Sequence, residues 1–319
     1  MKKPPKDIPA SVRDRLYNLA KHEQRDFNLI LTVFAIERLL YRLTCSEYAD
    51  HFVLKGARLL ALWFRKPHRS TRDLDLLSLG IPSPEVLRQT FEAICRTQAE
   101  PDGLTFDVTT MTIEETRLGH EYEGQRIRLT VHLAQARIPL QIDVGFGDVV
   151  TPETQTLDYP PLLESLSAPR IRAYPRETVL AEKLQAIVAL GALNTRMKDF
   201  YDISALARDF DYDGQTLCQA IRATFQRRKT IIPPELPKSL QHSFAEDEDR
   251  KRLWKGFLTR SAIELSTNHD FSIVLAKVRG FLGPPLLAAG QDKPSFRTTW
   301  RCTEGRWEPS GPQNVNHRQ

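Results

Sequence analysis

The chain has 319 residues, of which 41% are hydrophobic, so it is long enough for two globular domains or one large one. Its net charge of +5 favours anionic partners such as nucleotides or nucleic acid. The four cysteines and eight histidines show no metal-site or disulfide-framework spacing, and no apolar run is long enough to cross a bilayer. We therefore expect a cytoplasmic protein without disulfides and without a membrane role.

Residues 1–50 are predicted to form an N-terminal helical segment. Apolar residues recur at helical spacing from Ser11 to Leu43, which indicates one long helix or two, broken near Asp26. Ser11 and Asp14 resemble a capping box, so we expect the helix to start there. The stretch "RDRLYNLAKHEQR" is basic, which suits a polyanion but equally suits an ordinary solvated helix face.

Residues 51–170 are predicted to form a mixed sheet flanked by helices. "HFVLKG" and "DLDLLSLG" have strand character, and "ARLLALWF" and Pro82 to Thr97 have helical character. Three segments rich in β-branched residues follow: "LTFDVTTMTI", "QRIRLTVHL" and "IPLQIDVGFG". The proline-rich stretch from Thr151 to Pro175 has no long period and is interpreted as a connector, with the domain boundary near residue 170.

Residues 171–283 are predicted to form an all-helical domain. "RETVLAEKLQAIVALG" ends at a glycine, as many helices do, and further helical segments follow it. From about Pro284 the chain is rich in proline, glycine and polar residues, so residues 284–319 are expected to be a disordered tail.

Two carboxylates in one predicted strand form the first candidate site. Side chains alternate along a strand, so Leu74 and Leu76 can enter the core while Asp73 and Asp75 emerge together on the other face. Like charges held so close repel each other unless a cation neutralises them, and a divalent metal is a natural partner.

A third carboxylate, Asp143 of "LQIDVGFG", could point at the same place from a neighbouring strand. Three converging acids can hold Mg²⁺ through oxygen ligands alone. The alternative is structural: Asp73 would pair with Arg72 or Arg69, and Asp143 with Arg128 across the sheet.

Charged residues on two later helices form the second candidate site. Lys183 lies at the margin of an apolar stripe, from which it could reach into a cleft. Asp199 and Asp202 share one face of the next helix with Lys198, and an ordinary Lys–Asp helix pair explains that spacing equally well.

Five motifs in order carry a resemblance: "FVLKGA", "TRDLDLL", "LQIDVGFGD", "AYPRETVLAEKLQAIVALG" and "NTRMKDFYDI". Together they resemble the AbiEii/AbiGii-type toxin nucleotidyltransferases of bacteria, over roughly residues 10 to 280. The resemblance implies an α+β chain: a nucleotidyltransferase-fold mixed sheet flanked by helices, followed by an all-helical C-terminal domain.

The resemblance also implies a function. It implies transfer of a nucleotide from a nucleoside triphosphate with Mg²⁺ or Mn²⁺, onto RNA and especially a tRNA 3′ end, by a toxin whose cognate antitoxin is encoded separately. It is associated with phage defence by abortive infection. Asp73 and Asp75 would be metal-binding acids, and the helical domain would lend Lys183, Asp199 and Asp202 to the same cleft.

The turn after the first strand of the sheet departs from the family pattern. Lys55, Gly56, Ala57 and Arg58 are the candidate nucleotide-binding residues, the two cations offsetting phosphate charge and the following helix offering its first amides. Nucleotidyltransferases of this kind commonly read Gly-Gly or Gly-Ser followed by a small or hydroxylated residue, whereas this chain reads Gly56, Ala57 and Arg58, and Ala57 supplies no hydroxyl. Two alternatives therefore stay open: a binding module that has lost transfer, and transfer to a protein or a small molecule.

Overall fold

A computed structural model describes residues 7–64, 71–80, 83–117, 123–261, 263, 269–292 and 294–310. The chain divides into two compact units. The first combines Met1–Gly147 with Thr154–Tyr174, and the second combines Asp148–Glu153 with Pro175–Gln319. The predicted N-terminal helical segment is thus part of the first unit, and the division falls slightly beyond the predicted boundary near residue 170.

From α1 to β5, the elements of the first unit follow the predicted order of helices and strands. They are α1 (Ile8–His22), α2 (Phe27–Thr44), β1 (Phe52–Lys55), α3 (Ala57–Phe64), β2 (Asp73–Ser78), α4 (Pro84–Arg96), β3 (Leu104–Arg117), β4 (Glu123–Leu133), β5 (Ala136–Phe146), β6 (Gln155–Asp158) and β7 (Arg170–Ala173). The expected break near Asp26 is present, because the Asp26 side chain caps α2 by accepting the Leu29 amide at 2.8 Å. The expected start at Ser11 is wrong: Asp7 caps α1 and accepts the Ala10 amide.

The strands of the first unit form a seven-stranded mixed sheet in the order β3-β4-β5-β2-β1-β7-β6. β2 runs parallel to β5, and β1 runs parallel to β7. The other neighbours are antiparallel. The helix α2 contacts β5, β7 and α4, and its apolar side chains are buried almost all round, so it is the central core helix of this unit.

The interpretation of Thr151 to Pro175 as a plain connector is wrong, because this stretch supplies the strands β6 and β7. Buried charges on α2 hold the loop between these strands. Arg38 donates to the Ser167 carbonyl at 2.8 Å and to Glu100 at 2.9 Å, and Glu37 accepts the Leu162 amide at 2.7 Å. Backbone groups that a linker would leave to water are thereby satisfied inside the unit.

The second unit is mainly helical, with a small sheet that the sequence did not indicate. Its elements are α5 (Arg176–Leu190), α6 (Met197–Asp209), β8 (Tyr212–Asp213), α7 (Gly214–Arg227), α8 (His242–Glu246), α9 (Glu248–Arg260), α10 (Phe271–Ala289), β9 (Thr298–Arg301) and β10 (Arg306–Pro309). The strands pair in the order β10-β9-β8. The prediction of an all-helical domain therefore needs correction.

The expectation of a disordered tail from residue 284 is wrong for residues 284–292 and 294–310. The helix α10 continues through Pro284 and Pro285 to Ala289, and the hairpin β9-β10 follows. Aromatic packing explains this order: Trp300 and Trp307 surround Phe281, and the Trp307 indole donates to the Phe281 carbonyl at 2.9 Å. The rest of the predicted tail, residues 311–319, lies outside the described residues.

Among the described residues, α10 alone is long and apolar enough to cross a membrane. This is weak evidence for a span, because core helices of globular proteins pass the same test. More than half of the apolar window is buried inside the unit, where α10 contacts α6, α7 and α8. Its hydrophobicity is accounted for by that packing.

The buried carboxyl of Glu37 gives a testable pH dependence. Burial raises the pKa of Glu37 from 4.5 to about 7, although the Leu162 amide and the charge of Arg38 act to lower it. Between these two pH values the unfolded chain loses a proton that the folded chain retains, so stability falls as pH rises. Above pH 7 the loss is constant. We expect Glu37→Gln, which keeps an acceptor for Leu162, to remove a fall of about 3 kcal/mol between pH 4.5 and pH 8.

Urea unfolding at the two pH values measures this difference directly. The exposed Glu164 provides the matched control, and Glu164→Gln should leave the pH dependence in place. An unchanged pH dependence in Glu37→Gln would contradict the assignment.

Candidate active site

Four neighbouring strands bring charged side chains into one row across the sheet of the first unit. Lys55 on β1 is paired with Asp75 on β2, Asp75 with Asp143 on β5, and Asp143 with Arg126 on β4. Directly paired residues on adjacent strands project from the same face. The row therefore reads cation, acid, acid, cation, with both acids in the middle.

Asp73 lies on the same face as Asp75, as the alternation of the strand predicted. Leu74 and Leu76 are buried on the other side, while Asp73 and Asp75 are half-buried. The local sequence explains this arrangement, because the leucines enter the core and leave the carboxylates on the opposite face.

Asp143 forms a two-point ion pair with Arg126. Arg126 Nε lies 2.6 Å from Asp143 Oδ1, and Arg126 Nη2 lies 2.9 Å from Oδ2. This hydrogen-bonded pairing, with the charges of Asp143 and Asp73, raises the pKa of Arg126 above its usual value. Asp143 is thus in a cross-sheet ion pair, but the partner is Arg126 and not Arg128, which pairs with Glu114 at 2.6 Å.

Of the two predicted arginine partners of Asp73, Arg72 is among the described residues. Arg72 forms its ion pair with Asp26 at 3.6 Å. Arg69 lies outside the described residues.

Gly56 lets the first strand approach the Asp75 carboxylate. Its φ of +74° is in the left-handed region that favours glycine. A Cβ built on Gly56 would lie 2.0 Å from Asp75 Oδ2. The backbone at Gly56 therefore forms one wall around Asp75, which no larger residue can do.

The other predicted nucleotide-binding residues are placed differently from one another. The half-buried Lys55 extends beside Tyr174, with Nζ 5.3 Å from the ring centroid. Ala57 begins α3, so the positive end of that helix follows Gly56 directly. Arg58 is only 3% exposed and donates to the Thr71 carbonyl at 2.9 Å, so its guanidinium lies in the core and does not present a fork to solvent.

The predicted three-acid metal site is not formed in the part of the chain that the structure describes. There, no group of three or more His, Cys, Asp or Glu side chains is arranged to hold a metal ion. The reason is that Arg126 occupies both oxygens of Asp143. Asp73 and Asp75 fit a divalent cation better, since they are half-buried oxygen donors on one face.

A second group of charged residues lies in the second unit, between α5 and α6. We call it the Lys183 cluster, and it consists of Lys183, Arg196, Asp199 and Asp202. Lys183 Nζ lies 2.9 Å from Asp199 Oδ1 and 2.7 Å from Asp202 Oδ2, and Arg196 Nε lies 2.6 Å from Asp199 Oδ2. Both aspartates are fully buried, whereas Lys183 is 14% exposed. Burial alone would raise the pKa of Asp199, but the charges and hydrogen bonds of Lys183 and Arg196 outweigh it and hold the pKa below its usual value.

Most of the chain matches a family of known proteins. Residues 38–277 match the model of the nucleotidyl transferase AbiEii toxin family, of the type IV toxin–antitoxin systems. The chain belongs to the AbiEii family. The charged row and the Lys183 cluster both lie inside the matched residues, and nucleotidyl transfer is the activity of the family.

The similarity of the chain to individual proteins of known structure is low. No curated protein matches the chain. Two solved structures from Helicobacter pylori resemble it, a protein proposed to be a nucleotidyltransferase and JHP933. The first has 15% identity and a TM-score of 0.44, covering 79% of this chain and 93% of the other. The second has 14% identity and a TM-score of 0.44, covering 79% and 90%.

Arg126 is the residue of this AbiEii site that the sequence did not indicate. Arg126 and Arg128 are two residues apart in one strand, so both can project from the face that carries Asp143. The register of β4 with β5 decides which arginine pairs with Asp143, and it is Arg126. An arginine inside a predicted strand opposite an acid was the available signal.

The contact of Gly56 with Asp75 generates the first prediction for this site. Gly56→Ala should lose nucleotide binding, because the new Cβ displaces the Asp75 carboxylate, and the positive φ adds a stability loss of roughly 1–2 kcal/mol. Gly305→Ala is the matched control, since Gly305 has a φ of +63° but no atom within 4 Å of its built Cβ. Calorimetric titration with ATP should show weakened binding only in Gly56→Ala; equal binding in both variants would contradict the close contact.

The buried aspartates of the Lys183 cluster generate the second prediction. Lys183→Met should cost about 3–5 kcal/mol of unfolding free energy, because it leaves two buried acids without their shared cation. Arg196→Met should cost less, because Arg196 is more exposed and bonds only one of them. Urea denaturation measures both. Adding Asp199→Asn and Asp202→Asn to Lys183→Met should recover part of the loss, and no recovery would show that the loss has another cause.

Proposed function

We propose that this AbiEii-family chain transfers a nucleotidyl group from a nucleoside triphosphate to RNA, with a tRNA 3′ end as acceptor and Mg²⁺ or Mn²⁺ as the required metal. In this proposal the chain is the cytoplasmic toxin of a pair. A separately encoded antitoxin counteracts it, and the pair serves phage defence through abortive infection.

The observation that carries the proposal is the pair Asp73 and Asp75 on one strand, within a row closed at both ends by Lys55 and Arg126. A structural role alone would require only as many acids as there are cations. On this face the three acids Asp73, Asp75 and Asp143 stand beside the two cations Lys55 and Arg126, so these five side chains carry one negative charge in excess. That excess is what a bound divalent cation would offset.

Asp73 and Asp75 would hold the metal through carboxylate oxygens. When bound, the metal would offset charge on the phosphates of the substrate and favour displacement at phosphorus. Arg126 would keep Asp143 out of the coordination sphere while limiting repulsion among the three acids.

The remaining residues of the site bind and orient the nucleotide. Gly56 would let the backbone pack against the Asp75 carboxylate, the first amides of α3 would face phosphate, and Lys55 would add a positive charge. The acceptor hydroxyl would attack the α-phosphorus, the bond from that phosphorus to the β-phosphate oxygen would break, and pyrophosphate would leave. The hydroxyl proton would pass to solvent.

We assign Lys183 to the same reaction, with Asp199 and Asp202 as the residues that position it. The two acids fix the lysine side chain, and its partly exposed ammonium is the group that would offset charge on the triphosphate.

The decisive experiment incubates the purified chain with total tRNA, Mg²⁺ and each nucleoside triphosphate in turn, labelled at the α-phosphate. We expect label on RNA with one nucleotide. Asp73→Asn with Asp75→Asn should lower the rate by about 100-fold or more, because the near-isosteric amides remove the charge that holds the metal. Asp158→Asn changes an exposed strand aspartate of the same unit and should leave the rate unchanged.

Each part of the proposal can fail separately. Label on RNA in the presence of excess chelator would refute the metal requirement. Label on a protein or a small molecule, with none on RNA, would refute the acceptor. Nucleotide binding without transfer to any acceptor would refute catalysis.

A further inference from the structure

An exposed aromatic and cationic patch lies where α1 meets α2. We call Arg13, Tyr17, Lys21 and Phe27 the α1–α2 patch. Tyr17 and Phe27 meet edge to face with ring centroids 5.3 Å apart, and Tyr17 is 43% exposed. Lys21 Nζ lies 4.6 Å from the centroid of Tyr17, and Arg13 Cζ lies 5.6 Å from that of Phe27.

The core packing of α1 does not explain this patch. The buried residues of α1 are Val12, Leu16 and Ala20, whereas Tyr17 and Lys21 are exposed. The acids nearby have arginine partners: Asp14 contacts Arg13 of the patch at 3.9 Å, Glu23 pairs with Arg25 at 2.8 Å, and Asp26 pairs with Arg72 at 3.6 Å. The ring of Tyr17 is therefore accessible to a ligand, and Lys21 supplies a positive charge beside it.

Contacts inside the first unit connect the patch to the strand that carries the catalytic acids. Asp26 directly precedes Phe27, and its ion-pair partner Arg72 directly precedes Asp73. Arg58 donates to the neighbouring Thr71 carbonyl at 2.9 Å. The chain entering β2 at Asp73 therefore lies beside the turn that precedes Phe27.

The patch also lies outside the family match, which begins at residue 38. We propose that the α1–α2 patch binds the single-stranded end of the acceptor RNA, and this inference rests on the proposed function. An unpaired base stacks on the open face of Tyr17, and Lys21 and Arg13 offset phosphate charge. Unstacked bases suit an exposed ring, and stacking on aromatic side chains tolerates any base.

Binding of a short fluorescein-labelled single-stranded RNA, measured by anisotropy without nucleotide or metal, tests the patch. Tyr17→Ala should weaken binding roughly 10-fold, and Tyr17→Phe should bind normally because it keeps the ring. Lys21→Gln should reduce the slope of log affinity against log salt by about 0.7. Arg96→Gln on α4 removes one exposed charge from the same unit and should not weaken binding.

The transfer assay separates this inference from the proposed function. If RNA is labelled, Tyr17→Ala should raise KM for RNA and leave kcat nearly unchanged, since Tyr17 orients the acceptor and touches no phosphate of the nucleotide. Labelled RNA with equal RNA affinity in Tyr17→Ala and the unmodified chain would overturn the patch and leave the proposed function standing. Tyr17-dependent RNA binding without any labelling would support the patch and refute RNA as acceptor.

Discussion

Repulsion between carboxylates is the constraint on which the rest of the first unit depends. Asp73, Asp75 and Asp143 project from one face of two adjacent parallel strands, where partial burial strengthens their repulsion. The sheet meets this constraint with flanking strands that supply Lys55 and Arg126 in register. The order of the strands and the antiparallel pairing at both sides of the acidic pair therefore place a cation at each end of the row.

The two units solve the problem of buried charge in different ways. In the second unit, Lys183 and Arg196 neutralise the wholly buried Asp199 and Asp202. The charges of these four side chains sum to zero, and their hydrogen bonds fix the positions of the side chains. In the first unit, α2 carries Glu37, Arg38 and Arg42 through the core, and these fasten Asp102 and the loop between β6 and β7. Buried ion pairs of this kind add little net stability, but losing one partner is costly, which makes them effective at fixing one arrangement of backbone.

Periodicity in the sequence was sufficient for the strands β1 to β5, for α1 and α2, and for the common face of Asp73 and Asp75, because a strand alternates with period two whatever its neighbours are. It was insufficient for the partner of Asp143. Arg126 and Arg128 both fit by alternation. Which of them faces Asp143 depends on the register set by the tight turn at Ala134. Its φ of +51° could not be predicted, because the turn contains no glycine and no Asn-Gly pair. Contacts between helices, such as Lys183 with Asp202, are likewise invisible to spacing within one helix. Pro284 and Pro285 suggested an end to order, but burial of Phe281, Leu282 and Leu286 outweighs the missing proline donors.

The family match ends at residue 277, whereas α10 runs from Phe271 to Ala289. A fragment trimmed to the matched range would therefore cut this helix within its second turn and remove Phe281 together with Trp300 and Trp307. The faces of α6 and α7 that pack against α10 would then be open to water. Such a surface favours self-association over folding, so recombinant work on this chain should retain residues through the β9-β10 hairpin.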